Sequence, residues 1–147
     1  MTVYTVGTFD LLHVGHLALL EYCKTLGDTF IVGVASDEVV GSYKRNIPII
    51  PLQQRMEMLK ALKCVDDVVS YEALDYVSNC KKLDVDIFVI GEDWGSKAHN
   101  IAVEEYLKSK GAKIVQVTYN PLTSSTKIKQ DVIAQIYKGK YLAHDVV

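Results

Sequence analysis

The sequence has little of several residue types, and each shortage excludes a class of protein. Its 147 residues include three cysteines, three prolines and one tryptophan, and no apolar run approaches the about 18 residues that suggest a membrane-spanning helix. Cys23, Cys64 and Cys80 are odd in number and scattered, which predicts reduced thiols that act as small hydrophobes. We therefore expect a cytoplasmic protein without redox chemistry, a closed metal site or a membrane partner.

The chain also lacks a large excess of either acidic or basic residues. The chain has 16 basic and 18 acidic residues and a formal net charge of −2, so it offers no strongly basic surface for a nucleic acid. A small phosphorylated ligand stays compatible with this balance. With 49% hydrophobic residues, the chain has enough apolar material for one ordinary globular domain over residues 1–147.

Short β-branched runs alternate along the chain with segments in which apolar residues recur three and four positions apart. This pattern predicts an α/β fold that is Rossmann-like, a five-stranded mainly parallel sheet with helices on both faces. The predicted strands are Val3–Val6, Phe30–Ala35, Val68–Tyr71, Ile87–Ile90 and Ile114–Tyr119, and the predicted helices are Leu17–Lys24, Gln54–Leu62, Tyr76–Lys82, Ala102–Lys108 and Lys127–Tyr137. Ligands of such sheets bind outside the carboxyl ends of the strands, which directs attention to four segments: from Gly7 onward, 36–55, 91–97 and 119–127.

The segment after the first predicted strand contains residues that a packed core does not need. Gly7 and Gly15 remove side chains where a phosphate can approach the backbone, and the following helix start favours negative charge. His13 and His16 lie three residues apart at that helix start, where each can donate a hydrogen bond to a phosphate oxygen. These residues predict a phosphate-binding loop.

Two other interpretations of this loop are disfavoured. His13 and His16 would be half of a metal site, but only His99 and His144 remain as histidines and no cysteine lies nearby in the sequence. The segment also lacks the G-x-G-x-x-G pattern of dinucleotide binding, and the chain lacks the G-x-x-x-x-G-K-[ST] pattern of a P-loop.

The segment Gly7–His16, GTFDLLHVGH, resembles the signature of the cytidylyltransferase branch of the HxGH nucleotidyltransferases, most closely that of the glycerol-3-phosphate cytidylyltransferases. Further blocks in the family's order support the resemblance: Asp37-Glu38, Gln54-Arg55, 65–69, 91–95 and 124–129. The stretch before the last helix departs from it, because the family's Arg-Thr-x-Gly is absent. A fixed guanidinium fork is thereby lost, which lysine does not replace geometrically.

The resemblance implies a function and a set of site residues. It implies transfer of CMP from CTP to glycerol 3-phosphate or another small phosphate, with release of pyrophosphate, magnesium carried by the CTP, and a homodimer that supplies a CDP-activated precursor for cell-surface polysaccharide. The alternatives are an adenylyltransferase and a non-catalytic nucleotide-binding module. The expected site residues are His13, His16, Lys44 and Arg55 for catalysis; Gly7, Thr8, Phe9, Gly15, Ser124, Ser125 and Thr126 for the nucleotide and its phosphates; and Asp10, Asp93 and Trp94 for the acceptor or nucleotide pocket, with no protein metal ligand.

Some of these assignments have structural alternatives of similar weight. Asp10 is equally explained by a local Asx turn that shapes the loop, and Trp94 is explained nearly as well by packing at the rim of the pocket. Lys44 has the alternative of a solvated lysine. Arg55 stands at a predicted helix start, where acidic residues are usual. A positively charged residue at this position suggests that it binds an anion.

Overall fold

The computed structural model of the protein describes residues 1–43, 47–118 and 123–138. Within these ranges one five-stranded sheet is accompanied by six helices. The strands are β1 (Thr2–Gly7), β2 (Thr29–Ala35), β3 (Asp67–Tyr71), β4 (Ile87–Gly91) and β5 (Lys113–Val117). The helices are α1 (Val14–Thr25), α2 (Asp37–Tyr43), α3 (Leu52–Lys60), α4 (Tyr76–Leu83), α5 (Ala98–Lys110) and α6 (Ser125–Tyr137).

The sheet has the strand order β3-β2-β1-β4-β5, and all four neighbouring pairs are parallel. The chain builds outward from β1 to β3 and then crosses back to add β4 and β5 on the other side of β1. Connections therefore leave the carboxyl ends of β1 and β4 in opposite directions, which opens a crevice between them. The predicted Rossmann-like α/β fold is confirmed, and the position of its ligand crevice follows from the strand order.

Two apolar clusters cover the two faces of the sheet. One joins the sheet to α2, α4 and α5 through residues such as Val40, Cys80 and Leu107. The other joins it to α1 and α3 through Leu20 and Leu59. None of the helices in the described ranges is long and apolar enough to cross a membrane.

Helix α2 was not expected from the sequence, which predicts no helix between the strand that ends at Ala35 and the helix that begins at Gln54. This helix has only seven residues, too few for an apolar period to be visible. Its start nevertheless has a recognisable cap, because the Ser36 hydroxyl accepts a hydrogen bond from the Val39 amide at 3.2 Å and two acidic residues occupy the first turn. Ser36 followed by Asp37 and Glu38 was the signal that could have identified it.

Candidate active site

The loop between β1 and α1 has an unusual backbone. Phe9 and Leu11 have φ angles of 53° and 51°, in the left-handed region that non-glycine residues rarely adopt and that costs about 1–3 kcal/mol for each residue. A side chain at Gly7 would place its Cβ 2.9 Å from the Phe9 ring. This conformation persists because the surrounding structure holds it, which is typical of a functional loop.

The two histidines of the loop form the amino-terminal cap of α1. His13 Nδ1 accepts a hydrogen bond from the Gly15 amide at 3.0 Å, and His16 Nδ1 accepts one from the His13 amide at 3.2 Å. The rings stack with their centroids 3.9 Å apart. A Cβ on Gly15 would lie 2.8 Å from the His13 ring, so the glycine between the histidines permits this stacking.

The capping bonds determine which nitrogen carries the proton. An Nδ1 that accepts a hydrogen bond is unprotonated, so each neutral imidazole carries its hydrogen on Nε2. Burial lowers the pKa of His13, and burial together with His13 lowers the pKa of His16 to about 4, against a smaller raising effect of Asp10. The structure therefore favours the neutral ring, which donates from Nε2, over the imidazolium cation.

The lowered pKa of His16 predicts how stability depends on pH. The unfolded chain binds a proton at this residue below about pH 6.5 and the folded protein only near pH 4, so the contribution of His16 to stability is lost as the pH falls across that interval. We expect the melting temperature of the wild type to decrease over this interval more steeply than that of His16→Gln. Equal slopes in parallel thermal denaturation series would contradict the assigned pKa.

A cleft of about 720 Å³ lies at the carboxyl ends of the strands, where the crevice between β1 and β4 was expected. Most of the predicted site residues line it. They are Gly7, Thr8, Phe9, Asp10, His13, Gly15, His16, Asp93, Trp94, Ser124, Ser125 and Thr126. Lys44 and the segment 119–122 lie outside the described residues, and so does the segment 139–147.

Hydroxyl groups at the start of α6 close one side of the cleft. Ser124 caps the helix by accepting a hydrogen bond from the Lys127 amide at 3.0 Å. The Ser125 hydroxyl donates to the Asp10 carbonyl oxygen at 2.5 Å and so ties α6 to the histidine loop. This arrangement brings two helix starts, those of α1 and α6, to one cleft, and both favour an anionic ligand.

Asp10 holds two loops together. Its carboxylate accepts hydrogen bonds from the amides of Ile49 at 2.8 Å and Ile50 at 3.0 Å, and Lys129 Nζ lies 3.3 Å from it. Burial opposes ionisation of this carboxyl, but the two amides and Lys129 outweigh it, and its pKa lies below the ordinary value. The two amides are far from Asp10 in sequence, so its carboxylate positions the loop 47–51 beside the histidine loop instead of forming a local Asx turn. Asp10 also lines the cleft, and its contact with an acceptor or nucleotide stays a prediction.

The structure does not support the predicted contact of Arg55 with an anionic substrate. Its side chain is 1% exposed and does not line the cleft. The guanidinium donates to the carbonyl oxygens of Ile50 at 2.8 Å, Thr8 at 2.7 Å and Ala35 at 2.9 Å. It also donates to the Asp37 carboxylate at 2.6 Å. Hydrogen bonds to main-chain carbonyl oxygens therefore account for the positively charged residue at this helix start, and no ligand is needed to explain it.

The block after β4 divides into a packing residue and an exposed acid. Trp94 Nε1 donates to Glu104 at 2.8 Å, and its ring lies 5.6 Å from that of Tyr76 and 5.7 Å from that of Phe88. These contacts favour the rim-packing interpretation, although the residue also lines the cleft. Asp93 is exposed and lines the cleft, so an acceptor hydroxyl can reach it.

Several cleft residues were not assigned from the sequence. Lys129 extends into the cleft from the second turn of α6, and Lys97 and His99 line it at the start of α5. Tyr71 and Tyr76 belong to its aromatic wall. Only Lys129 had a signal in the sequence, since it follows Ser125 by four residues and therefore shares its helix face.

Comparisons with known proteins identify the family of the chain. The model of the cytidylyltransferase-like family matches residues 4–131. An FAD synthase from Thermococcus sibiricus is 36% identical over 140 residues, which cover 89% of this chain and 91% of that protein. A glycerol-3-phosphate cytidylyltransferase from Bacillus spizizenii is 37% identical over 134 residues, which cover 88% of this chain and 95% of that protein.

Solved structures support the fold. The lipopolysaccharide core biosynthesis protein from Thermoplasma volcanium has a TM-score of 0.67 and 27% identity, over 82% of this chain and 96% of that one. A pantoate-beta-alanine ligase from Francisella tularensis, at 17% identity and a TM-score of 0.56, shares the fold. The family match extends from β1 into α6 and includes both histidines. The chain therefore belongs to the cytidylyltransferase-like family and is a nucleotidyltransferase.

Proposed function

We propose that the protein transfers CMP from CTP to a small phosphorylated acceptor, such as glycerol 3-phosphate or a related polyol phosphate, and releases pyrophosphate. The observation that carries the proposal is the pairing of His13 and His16 in one cleft with the hydroxyl-rich start of α6. The glycerol-3-phosphate cytidylyltransferase relatives, at 37% and 34% identity, support the choice of nucleotide and acceptor. The product would be a CDP-activated precursor, and we extend the proposal to cell-surface polysaccharide synthesis.

The chemistry needs no protein nucleophile. An alkyl phosphate has a second pKa near ~6, so its oxygen is largely ionised at neutral pH. That oxygen attacks the α-phosphorus in line as the bond to the bridging oxygen of pyrophosphate breaks. The Nε2–H groups of His13 and His16 donate to phosphoryl oxygens on which negative charge accumulates. The start of α6 supplies hydroxyl and amide donors for the remaining phosphates.

We expect magnesium to reach the cleft bound to the triphosphate, which supplies phosphate oxygens as ligands. Asp93 and the Ser124 and Thr126 hydroxyls line the cleft and are oxygen donors of the kind that this ion accepts. In the part of the chain that the structure describes, no group of three or more His, Cys, Asp or Glu side chains is arranged to hold a metal ion. When bound, magnesium would neutralise part of the triphosphate charge.

The second candidate is transfer of AMP from ATP to flavin mononucleotide. FAD consists of AMP joined to that acceptor, and the FAD synthase relatives are as similar to this chain as the cytidylyltransferases are. The aromatic rings of Tyr71, Tyr76 and Trp94 line the cleft, and such a wall suits a planar ring system. The same attack of a phosphate oxygen on an α-phosphorus would form this product.

A matrix of substrates tests both candidates. CTP, ATP, GTP and UTP are each combined with glycerol 3-phosphate, other polyol phosphates and flavin mononucleotide in the presence of magnesium, and pyrophosphate release is measured. We expect release with CTP and a polyol phosphate. The double variant His13→Asn/His16→Gln is the blank, because both replacements retain helix-capping groups.

The matrix separates the alternatives. Release with ATP and flavin mononucleotide alone would replace the first candidate by the second. Binding of a nucleotide without pyrophosphate release from any pair would refute both candidates and favour a non-catalytic nucleotide-binding module.

We also propose that the protein is a homodimer. Support comes from α6, where Val132, Ile133, Ile136 and Tyr137 are apolar and each at least 48% exposed. A second copy that covered these side chains would remove an apolar surface from water. Sedimentation equilibrium tests this expectation, and a monomeric mass at all concentrations would contradict it.

A further inference from the structure

Asn100 is a buried polar residue at the start of α5. It is 5% exposed and lines the cleft. Together with Val103 and Leu107 it forms the buried face of this helix, where apolar side chains are usual. Its Oδ1 atom accepts a hydrogen bond from the Lys97 amide at 3.1 Å. Only the oxygen of a side-chain amide can accept such a bond, so the other end of the side chain is the Nδ2 donor group.

The Nδ2 group of Asn100 is open to the cleft. In the part of the chain that the structure describes, the bond that Asn100 makes with its side chain is the one at Oδ1. Every fully buried side-chain nitrogen or oxygen atom of the described residues has a partner, so Nδ2 is reached from the cleft that Asn100 lines. Folded proteins rarely leave a donor without a partner in so enclosed a position. A ligand atom in the cleft can supply that partner.

The structure around Asn100 holds its side-chain amide in place. Val103 and Leu107 are fully buried and fix α5 on the sheet. A Cβ on Gly95 would lie 3.3 Å from Asn100 Oδ1, so the glycine in the loop before α5 leaves room for the amide. The bond from the Lys97 amide fixes its orientation. A donor that is fixed before the ligand arrives loses little conformational freedom on binding.

The positions of the phosphates and of Asp93 indicate which ligand group meets this donor. In the proposed reaction the phosphates lie at His13 and His16, in the loop after β1, whereas α5 begins after β4, on the other side of the crevice. The sugar or polyol part of a substrate can therefore reach α5. Asp93 is exposed and lines the cleft, and its carboxylate opposes a further anion there, although the Lys97 side chain also lines the cleft. A hydroxyl suits the site best, because its oxygen accepts from Nδ2 while its hydrogen is donated to a carboxylate.

We propose that Asn100 determines substrate specificity by donating a hydrogen bond from Nδ2 to a substrate hydroxyl, whose hydrogen is accepted by Asp93. The hydroxyl belongs either to the ribose of the nucleotide or to the polyol part of the acceptor, which present the same chemistry. The inference rests on the proposed function, which places the phosphates at the histidines. No bond of this hydroxyl is made or broken in the reaction, so Asn100 contributes to the choice of substrate.

The test measures how much each hydroxyl contributes to binding, with and without the donor. CTP and ATP are compared with their 2′-deoxy and 3′-deoxy analogues, and glycerol 3-phosphate is compared with propane-1,3-diol phosphate, which lacks the central hydroxyl. Dissociation constants are measured by calorimetry with magnesium present, and kcat/KM by pyrophosphate release. The variants are Asn100→Leu, Asn100→Asp and the control Ser109→Ala. Ser109 is exposed near the end of the same helix, where its hydroxyl donates to the Tyr106 carbonyl oxygen.

We expect the wild type to prefer the hydroxyl-bearing member of one pair by about 10-fold or more, the effect of one neutral and one charge-assisted hydrogen bond. Asn100→Leu should reduce this preference by about 3-fold or more, since it removes the neutral bond, and Ser109→Ala should retain it. Asn100→Asp keeps an oxygen that accepts from the Lys97 amide, but the hydroxyl then faces two carboxylates with a single hydrogen, so the preference should fall there as well. The pair that responds identifies the hydroxyl.

The outcomes separate this inference from the proposed function. Equal preferences in the wild type and both Asn100 variants, or no preference in the wild type for any pair, would overturn the inference even in a protein that transfers nucleotides. A calorimetric preference that depends on Asn100, in a protein that releases no pyrophosphate from any substrate pair, would support the hydroxyl site and refute the transfer. Weaker binding of inorganic phosphate by Asn100→Leu, with all preferences unchanged, would assign the donor to an anion and overturn the inference. If Asn100→Leu does not fold, Asn100→Asp decides, because an acidic residue is favourable in the first turn of a helix.

Discussion

Replacement of His16 by glutamine is expected to lower kcat by about 10²-fold or more without a large change in melting temperature at pH 8. The variant loses the Nε2–H donor that the proposed mechanism directs at the phosphates. A glutamine at the third helical position can still accept a hydrogen bond from the His13 amide, as His16 Nδ1 does now. Steady-state kinetics with saturating substrates and thermal denaturation measure the two effects separately.

The companion variant His13→Asn tests the role of the other imidazole, and we expect the same result, a lower kcat without a large change in melting temperature. Asparagine is among the most favourable residues at a helix amino-terminal cap and can accept the bond from the Gly15 amide that His13 accepts now. A folded His16→Gln protein with wild-type kcat would remove the histidine from the mechanism. A low kcat accompanied by a low melting temperature in His16→Gln would show that helix capping, not phosphate binding, is the main contribution of His16.

The fold could be predicted from the sequence because its determinants are local and periodic. Buried parallel strands are short β-branched runs, and all five appear where expected. Helix α2 was missed because seven residues span about two turns, which is too short for an apolar period. The location of the cleft was also predictable, since it depends only on where the strands end and on which strands are neighbours.

The roles of charged residues at the cleft were harder to predict because their partners are distant in sequence. Arg55 bonds to carbonyl oxygens 47 and 20 positions away, those of Thr8 and Ala35, and nothing at a helix start distinguishes such a partner from a phosphate. Asp10 likewise bonds to amides 39 and 40 positions away. Both side chains hold the backbone around the histidine loop, and the sequence near the motif gives no sign of these distant partners.

These two residues together explain how the strained loop is maintained. The left-handed backbone at Phe9 and Leu11 needs external support. Arg55 supplies it at the Thr8 carbonyl, and Asp10 binds the adjacent loop 47–51. Stability of the fold and geometry of the histidine loop are therefore coupled through Arg55.

Replacement of Arg55 by methionine is expected to lower the free energy of unfolding by about 3 kcal/mol or more, because three main-chain carbonyl oxygens would lose their donors and each such loss costs about 1–3 kcal/mol. The carbonyl oxygens of Thr8, Ala35 and Ile50 would lose the donors that now satisfy them, and Asp37 would lose its ion-pair partner. Urea denaturation measures the loss. Activity should fall in parallel, because the Thr8 carbonyl belongs to the loop that leads to the histidines.

A surface change on the same helix provides the control. Lys60→Met removes a cation from the exposed last turn of α3 and should change the free energy of unfolding by no more than about 0.5 kcal/mol. Arg55→Lys should remain destabilised, because one ammonium group has three donors and cannot reproduce four bonds made from a planar guanidinium. If Arg55→Met instead kept wild-type stability and raised KM for one anionic substrate alone, the side chain would have to leave its buried position to bind that substrate. The inferred coupling between the core of the protein and the histidine loop would then be wrong.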